Sequence, residues 1–534
     1  MGRALEWDKE PVPLSPAENK HIKEELCMNG QVLIVGAGPT GLVLALSLAK
    51  QQVPFRIIDK DDGPGQQSRA MAVMPRTLEF YDQFGFADEI VKDGIKMENA
   101  HLYIDGKEKA HLRLGSFGAG ISRFTSPYSY PQDEHEKFLL EKLHEYGGEV
   151  EWNTELLSFQ EMEEGVKATL LRTGTKMKEH YQYICGCDGA GSAVRHQLQL
   201  NFPGGTYEQQ FFVMDIKAEG DQIGSDKLAM CMQGDEFLIL MPIRSTGSSR
   251  AIGIIPASLT ESGEMVTSDM IVSFMESAIG IDVKEVNWFS PYKVHHRVAE
   301  RFHKGRAFLV GDAGHIHSPA GGQGMNTGIG DAVNLGWKLS AVIQGRAKQE
   351  LLKSYDVERR EFAEQLVKTT DSVFTRMVSS DWSNRFLRKK IAPTVVPLVN
   401  HLDWVRKKMF MILSQVKIEY SSSPVSRGKA AEIQAGIRLP YTGANYGPLQ
   451  AWDWQVHVYG SATLELKAFC KDRGLALSTF SYDSVMEGKG IKMAALYLVR
   501  PDGYLGYVSP HQDVQGLQEY LDGWGIIPFR DALE

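Results

Sequence analysis

Apolar residues in the first half of the chain fall into short runs that alternate with helical patterns. Residues 32–35 (VLIV) and 55–58 (FRII) predict buried strands, and the apolar stretch 42–49 between them predicts a helix. The same order, a short apolar run followed by glycine and then a helical pattern, recurs at 181–195 and 306–339. Strands that alternate with helices favour an α/β fold with a parallel sheet.

The pattern changes between residues 202 and 298. Short apolar segments at 211–216, 237–241 and 251–255 predict an antiparallel sheet, one face of which could wall an apolar pocket. The phenylalanines and methionines of these segments suit a structural core as well as contacts to a ligand. An alternating pattern at 101–124 also predicts β structure.

The second half begins with a long charged helical pattern that starts near residue 348 and continues to about 417. A stretch rich in Ser, Pro and Gly at 421–428 marks a boundary, and a smaller α/β unit follows. We therefore expect the following division: an N-terminal extension, 1–30; the first part of a Rossmann-like domain, 31–200, of which 96–129 is a candidate part of the next domain; an inserted antiparallel β-sheet domain, 201–297; the second part of the Rossmann-like domain with its long helices, 298–420; and a C-terminal α/β domain, 421–534.

Composition excludes several classes of function. The net charge of −9 over 534 residues argues against nucleic acid as a partner. The five cysteines lack the spacing of a zinc site and are too scattered for a disulfide framework, so neither a metal nor disulfides are expected. No apolar run reaches the ~20 residues that span a bilayer, and the start of the chain lacks a secretory signal pattern. We expect a cytoplasmic protein.

The first glycine motif, GAGPTG, has the features of a dinucleotide-binding turn. Gly36 permits the tight turn, Gly38 lets a diphosphate approach the backbone, and Gly41 lets the helix pack on the strand. Asp59 ends the next strand, close to the ~20 residues past the motif where a ribose-binding carboxylate is expected. The alternative is a glycine-rich βα turn that binds nothing.

The stretch 306–339 also joins a strand, an acidic residue and a helix start. Its strand ends at Gly311-Asp312, and a glycine-rich loop leads into the helix after Asn326. The unpaired N–H groups of a helix start suit an anionic or electron-rich ligand, but the glycines could instead serve only the backbone dihedrals. At 181–195, Asp188 could simply cap the following helix. Arg69 and Arg76 could each contact a phosphate or be surface cations.

Three motifs together carry a resemblance to a known family: GAGPTG with Asp59, CDGAGSAVR, and GDAGHIHSPAGGQGMN. Over about residues 31–370 the chain resembles the FAD-dependent aromatic hydroxylases, the single-component flavoprotein monooxygenases related to phenol hydroxylase and p-hydroxybenzoate hydroxylase. The unit after about residue 436 is similar to the thioredoxin-like C-terminal domain of the phenol hydroxylase branch.

The resemblance implies a set of cofactor contacts. The Pro319 carbonyl would lie near the reacting edge of the flavin, the motif at 188–195 would serve both FAD and NADPH, and Arg69 becomes a cofactor residue. Met71 stands where phenol-hydroxylase-like members carry an aspartate base, so the catalytic base stays unknown. The expected cofactor-binding residues are Gly36, Gly38, Thr40, Gly41, Asp59, Lys60, Arg69, Gln132, Asp188, Gly189, Arg195, Gly311, Asp312, Pro319, Gly321, Gly322, Gln323, Gly324, Met325 and Asn326.

The implied activity is hydroxylation of a small phenolic or polyketide-like aromatic by NADPH (or NADH) and O2, through a flavin C4a-hydroperoxide. The alternatives are Baeyer–Villiger or epoxidation chemistry at the same flavin, or a catalytically silent flavoprotein that acts as an assembly partner. A plain NAD dehydrogenase would not need the two later motifs. A homodimer is a candidate assembly for the C-terminal domain.

Overall fold

The computed structural model describes residues 31–65, 70–233, 236–243, 247–260, 265–318, 322–378 and 402–529. Expectations for residues 1–30, Arg69, Pro319 and Gly321 lie outside these ranges. In chain order the helices of the described ranges are α1 Pro39–Lys50, α2 Pro75–Phe84, α3 Ala87–Asp93, α4 Gln132–Glu145, α5 Ala193–Gln197, α6 Ala257–Thr260, α7 Ser268–Ile279, α8 Gly324–Ile343, α9 Lys353–Val378, α10 Asp403–Leu413, α11 Leu464–Arg473, α12 Ser484–Gly488 and α13 Val514–Trp524.

The strands are short in the nucleotide-binding region and longer in the middle of the chain. In chain order they are β1 Val32–Val35, β2 Phe55–Ile58, β3 Ala72–Val73, β4 Ile95–Lys96, β5 Asn99–Ile104, β6 Lys107–Arg113, β7 Tyr128–Ser129, β8 Val150–Glu151, β9 Thr154–Met162, β10 Gly165–Arg172, β11 Thr175–Tyr181, β12 Tyr183–Gly186, β13 Gly204–Glu219, β14 Lys227–Gln233, β15 Glu236–Pro242, β16 Ser249–Ile254, β17 Asp282–Val298, β18 His303–Lys304, β19 Ala307–Leu309, β20 His315–Ile316, β21 Arg427–Ala430, β22 Ile433–Gln434, β23 Gln455–Tyr459, β24 Ala476–Phe480, β25 Leu496–Val499 and β26 Leu505–Ser509.

The first sheet has the strand order β18-β19-β12-β1-β2-β8, in which β19, β12, β1, β2 and β8 run parallel. The apolar runs that predicted its strands are buried, and β1 and β2 have the bounds expected from the sequence. Helices α1 and α8 pack against each other beside this sheet. The expected α/β fold is confirmed.

The second large sheet has the order β20-β17-β13-β16-β15-β14-β5-β6 and is antiparallel except where β14 pairs with β5. Residues 99–113 thus join the sheet formed mainly by 204–298. The expected segments form strands, but the sequence analysis did not predict that residues 268–279 of this region form helix α7. Its buried residues Ile271, Met275 and Ala278 recur at helical spacing and pack into the core of the sheet.

The C-terminal unit forms a sheet of order β22-β21-β26-β25-β23-β24, with α11 and α13 packed together. Its core is continuous with that of the first sheet: Trp454, Leu496 and Leu521 belong to the same buried cluster as Leu33. The thioredoxin-like assignment and the division into domains stay predictions. In the described ranges, none of the helices combines the length and apolar character that a bilayer crossing requires.

Candidate functional site

The candidate site lies along one edge of the first sheet. Because β1, β2, β12 and β19 run parallel, their carboxyl ends meet at the same edge. The segments that follow them carry the glycine motif, Asp59, Asp188 and Asp312, so the fold brings the three sequence motifs together. Ligands of open α/β sheets bind at this kind of edge.

The glycine motif forms a tight turn that leaves an open helix start. Gly36 has a φ of +103°, and a Cβ there would lie 2.4 Å from the Cys187 carbonyl oxygen. A Cβ on Gly41 would lie 1.9 Å from the Gly36 oxygen, whereas one on Gly38 meets nothing within 4 Å. No side chain caps α1 at Gly38. The open space and unpaired N–H groups fit a diphosphate.

Asp59 lies directly beside the glycine turn. Its Oδ2 accepts a hydrogen bond of 2.7 Å from the Ala37 N–H, and its Oδ1 accepts one of 3.0 Å from the Asp61 N–H. These bonds fix the carboxylate at the end of β2 while the residue stays partly exposed. Lys60 next to it is exposed. The position of Asp59 fits a carboxylate that binds a ribose hydroxyl.

Gln132 and Glu136 on α4 hold the chain on both sides of residues 66–69. The Gln132 Oε1 accepts from the Ala70 N–H at 3.2 Å, and the Glu136 Oε2 accepts from the Gly65 N–H at 2.8 Å. The Gln132 Nε2 in turn donates to the Glu136 Oε1 at 2.8 Å. Burial raises the pKa of Glu136. Sequence reasoning missed Glu136, for which no local pattern gives a signal.

In the second motif, Asp188 bonds to the start of helix α5, and Arg195 bonds to the third motif. The Asp188 Oδ2 accepts from the Val194 N–H at 3.2 Å, while Ser192 is the N-cap of α5. The buried Arg195 guanidinium donates to the Ala313 carbonyl at 2.9 Å. Arg195 thus connects the second motif to the third, and Gly189 beside it adopts φ +73° with open space around it.

Thr40 lies where the first and third motifs touch. A Cβ on Gly311 would lie 2.7 Å from the Thr40 Oγ1, and one on Gly328 would lie 2.3 Å from it. These glycines are needed because α1, the turn at Gly311 and α8 approach closely. Asp312 follows Gly311 in a short 3-10 turn and is exposed at the same edge.

A buried carboxylate that sequence reasoning missed supports the turn at Gly311. Asp331 on α8 accepts from the Gly311 N–H at 3.0 Å and contacts the His315 Nε2 at 2.7 Å. Arg359 on α9 donates to Asp331 at 2.5 Å. Burial alone would raise the pKa of Asp331, but Arg359 and His315 hold it below its usual range. This ionised group fixes the loop that carries Asp312.

The start of α8 is clamped to residues 72–77 by the Asn326 side chain. Its Oδ1 accepts from the Met74 N–H at 2.9 Å and the Thr77 hydroxyl at 2.8 Å. Its Nδ2 donates to the carbonyls of Ala72 at 2.9 Å and Gly322 at 3.0 Å. The side chain is therefore saturated, so a contact of Asn326 with a ligand would have to use its backbone N–H.

The other residues at this helix start have distinct environments. Gln323 is the N-cap residue, without a side-chain cap bond, and Gly324 has open space at its Cβ position. The Met325 sulfur lies 3.4 Å from the His135 Nδ1 and so packs into the interior. Gly322 adopts φ +63°. The uncapped N–H groups of α8 fit an electron-rich ligand edge.

The two large sheets meet beside the third motif. Strand β20, which follows the turn at Gly311, pairs with β17 through Arg297 and Val298. On the second sheet, Phe211, Ile254 and Val294 form a buried apolar cluster, against which the aromatic rings of Tyr207, Phe237 and Tyr292 pack. The loop that leads to α8 therefore starts at the edge of a sheet that carries apolar and aromatic side chains.

Comparison with known proteins agrees with this geometry. A family model described as FAD binding domain matches residues 29–370. The chain is 30% identical over 540 residues to 6-methylpretetramide 4-monooxygenase of Streptomyces rimosus, with 93% of this chain and 94% of the relative covered. It is 32% identical over 349 residues to pentachlorophenol 4-monooxygenase of Sphingobium chlorophenolicum, with 64% of each chain covered.

A solved structure is similar over nearly the whole chain. The anhydrotetracycline hydroxylase OxyS of Streptomyces rimosus superposes with a TM-score of 0.73 at 26% identity, with 94% of this chain and 100% of that chain covered. The family model spans well over half of the chain, and the first relative is matched almost end to end. The chain therefore belongs to the FAD binding domain family, within the FAD-dependent aromatic hydroxylases.

Proposed function

We propose that this protein uses NAD(P)H and O2 to hydroxylate a phenolic or polyketide-like aromatic compound at a bound FAD. The observation that carries the proposal is the pairing of β20 with β17. It joins the edge that bears Asp59, Asp188 and Asp312 to the sheet that bears the apolar and aromatic cluster. A flavin bound at this edge of the first sheet and an aromatic ring bound at the second sheet would be neighbours.

The residues at the edge suggest how FAD is held. We infer that the N–H groups at the start of α1 bind the diphosphate and that Asp59 binds the adenosine ribose. Asp312 would bind the ribityl chain. The N–H groups of Gly324, Met325 and Asn326 would face the ring edge that becomes negative on reduction, because a helix start favours negative charge.

FAD, when bound, would supply the redox chemistry, namely electron transfer from the nicotinamide and activation of oxygen for transfer to the aromatic ring. The chain's own contribution is placement and the exclusion of water. The buried side chains of Phe211, Ile254 and Val294 would keep the reacting region dry. Gly189 and the loop held by Arg195 lie beside the first motif and are our candidates for the nicotinamide approach.

The activity is tested on purified holoenzyme. We expect yellow protein with stoichiometric FAD and NADPH oxidation that phenols accelerate. Oxygen should be consumed, with one hydroxyl added to the aromatic product as identified by NMR. Comparison of kcat/KM for NADPH and NADH identifies the donor, for which we expect NADPH. Protein that cannot be reconstituted with FAD, or that oxidises NADPH without effect of any phenol, would overturn the proposal.

The placement of the diphosphate has a separate test. Gly38→Ala adds a Cβ into open space, so the apoprotein should keep its melting temperature. The same Cβ would occupy space that the diphosphate needs, so the Kd for FAD should rise at least tenfold. Gly63→Ala, whose Cβ also meets nothing within 4 Å, is the matched control and should leave both values unchanged. Equal FAD affinity in the two variants would contradict the placement.

A further inference from the structure

His317 stands where the second sheet ends and the loop towards α8 begins. Strand β20 is the edge strand of that sheet, with His315 opposite Val298 and Ile316 opposite Arg297 on β17. His317 is the next residue, two positions before Pro319. The backbone therefore delivers an imidazole to the junction between the proposed flavin site and the proposed substrate sheet.

The hydrogen bonding of His317 defines its tautomer. The Nδ1 atom lies 2.8 Å from the carbonyl oxygen of Ser318, and a carbonyl can only accept. Nδ1 therefore carries the proton, and Nε2 presents a lone pair. Burial lowers the pKa of His317 to about 4, with a further decrease from the nearby His315, so the ring is neutral at physiological pH.

The Nε2 atom of His317 is buried, and among the residues that the structure describes none forms a hydrogen bond with it. A buried acceptor without a donor has lost its hydrogen bonds to water and gained none in return, which is unfavourable. Such an atom beside a ligand site is readily explained when the ligand supplies the donor. The ligand must then present an O–H or N–H group at this junction.

Several other buried polar side chains have partners. The His315 Nε2 contacts Asp331 at 2.7 Å, and the buried His135 Nε2 contacts the Tyr81 hydroxyl at 2.8 Å. The Arg250 guanidinium makes a paired contact with Asp215 at 2.6 and 2.7 Å. His317 differs from these groups because its acceptor is kept open.

On the facing elements the Tyr207 hydroxyl is engaged, whereas the buried His296 Nδ1 and Arg297 Nε on β17 have no hydrogen-bond partner among the described residues. The Tyr207 hydroxyl on β13 donates to Asp371 on α9, and the His296 ring on β17 packs edge-on against the Tyr207 ring. The His296 Nδ1 lies 3.8 Å from Asp371. These groups lie near Ser318, whose own buried Oγ has no hydrogen-bond partner among the described residues. They do not supply a donor to His317.

We propose that the Nε2 of His317 accepts a hydrogen bond from the hydroxyl group of the aromatic substrate, and so selects phenols over arenes without a free hydroxyl. This inference rests on the proposed function. A neutral, weakly basic imidazole orients the O–H group and accepts a hydrogen bond from it without taking the proton. The hydrogen bond polarises the O–H bond, and this raises the electron density of the aromatic ring at the positions to be hydroxylated. The substrate class is therefore an aromatic with at least one free phenolic hydroxyl.

The test measures binding to the oxidised holoenzyme without NADPH, so it does not depend on turnover. Matched probes are 4-nitrophenol and its methyl ether, 4-nitroanisole, titrated at pH 6 by the perturbation of flavin absorbance. In the unmodified enzyme, the phenol should bind about tenfold to hundredfold more tightly than the ether, as expected for one hydrogen bond to a buried acceptor.

Variants separate a hydrogen bond from mere packing. His317→Leu should reduce the phenol-to-ether ratio to about one, chiefly by weakening phenol binding, whereas His317→Gln keeps an acceptor near the Nε2 position and should keep most of the ratio. His295→Leu, on β17, is the control and should retain the full ratio. FAD content and melting temperature are recorded for each variant.

The possible failures are distinguishable. If the enzyme oxidises NADPH in response to phenols but His317→Leu keeps the phenol-to-ether ratio, the role of His317 is wrong and the proposed function stands. If no phenol binds or accelerates NADPH oxidation, the proposed function itself fails. If His317→Leu loses FAD, the phenol-to-ether ratios of His317→Gln and His317→Asn are compared instead. The glutamine oxygen lies near the Nε2 position and should keep most of the ratio, whereas the asparagine oxygen cannot reach that position and should not. Equal ratios in those two variants would overturn the inference.

Discussion

Glu358 on α9 is the centre of a buried ionic network that joins the C-terminal unit to the first sheet's helices. Its carboxylate accepts from Lys338 at 2.7 Å and from the Arg500 guanidinium at 2.8 and 2.9 Å. Asn334 and Ser423 each donate to it at 2.7 Å. Burial alone would raise the pKa of Glu358, but Arg500 and Lys338 hold it far below its usual range, so it is ionised.

Glu358→Gln should strongly destabilise the protein. The side chains of Glu358, Lys338 and Arg500 are all 0% exposed, and Asp502, 2.6 Å from Arg500, is the acidic partner that remains. Burial lowers the pKa of Lys338 to about 8 even beside Glu358, so the substitution leaves this buried amine without the carboxylate that favours its charged form. Loss of one partner of a buried ion pair costs about 3–5 kcal/mol. We expect a lower urea midpoint, followed by tryptophan fluorescence because Trp337 donates to Asp502 at 3.0 Å.

Two further variants show whether charge is the cause. Glu358→Gln with Lys338→Met restores neutrality and should recover a substantial part of the loss. Glu285→Gln breaks the 2.7 Å pair with Lys217, in which both side chains are about half exposed, and should cost about 1 kcal/mol or less. The reasoning is refuted if Glu358→Gln is as mild as Glu285→Gln, or if the double variant is less stable than Glu358→Gln alone.

Further predictions concern the candidate site and its surroundings. Asn326→Ala removes the clamp between residues 72–77 and α8, so the Kd for FAD should rise at least tenfold in a fluorescence titration; exposed Asn201→Ala should not change it. Gly41→Ala places a Cβ 1.9 Å from the Gly36 oxygen and should lower stability by about 3 kcal/mol in chemical denaturation, whereas Gly191→Ala, with open space, should be neutral. Burial lowers the pKa of His135 to about 3. Below pH 6.5, the pKa of this histidine in the unfolded state, the unfolded protein binds a proton there and the folded protein does not. The free energy of unfolding therefore falls as pH falls from about 6.5 towards 3, by about 2 kcal/mol at pH 5. His135→Gln should flatten this part of the stability profile, exposed His144→Gln should not, and equal profiles in both variants would contradict the assignment.

Sequence patterns identified those parts of the fold that local chemistry specifies. The apolar runs at 32–35 and 55–58 gave correct strand bounds because a buried parallel strand must be continuously apolar. Helix α7 was missed because the short apolar segments of its region indicated strands, although its own apolar residues have helical spacing. Short apolar runs do not distinguish a buried helix segment from a buried strand by their periodicity alone.

Long-range partners could not be predicted. Nothing near Glu136 in the sequence indicates that it bonds the N–H of Gly65, because the two residues are 71 positions apart and no local pattern connects them. For Asn326 the sequence predicts a ligand contact through the backbone N–H, and it gives no sign that the side chain bonds to Ala72, Met74, Thr77 and Gly322. A motif shows which residue types lie near a site, whereas the division between ligand contacts and supporting contacts depends on geometry.

The docking of Arg500 onto Glu358 has a consequence for biosynthesis. These residues are separated by 142 positions, so α9 leaves the ribosome long before its cationic partner is synthesised. Until Arg500 has been synthesised, nothing covers the surface around Glu358, Asn334 and Trp337. The apolar side chains beside this surface are then exposed to solvent and can form wrong contacts. A premature stop after residue 420 would thus yield a polypeptide with the nucleotide motifs intact that is nonetheless a substrate for chaperones and proteases. Chimeras between relatives should exchange the C-terminal unit together with α8 and α9.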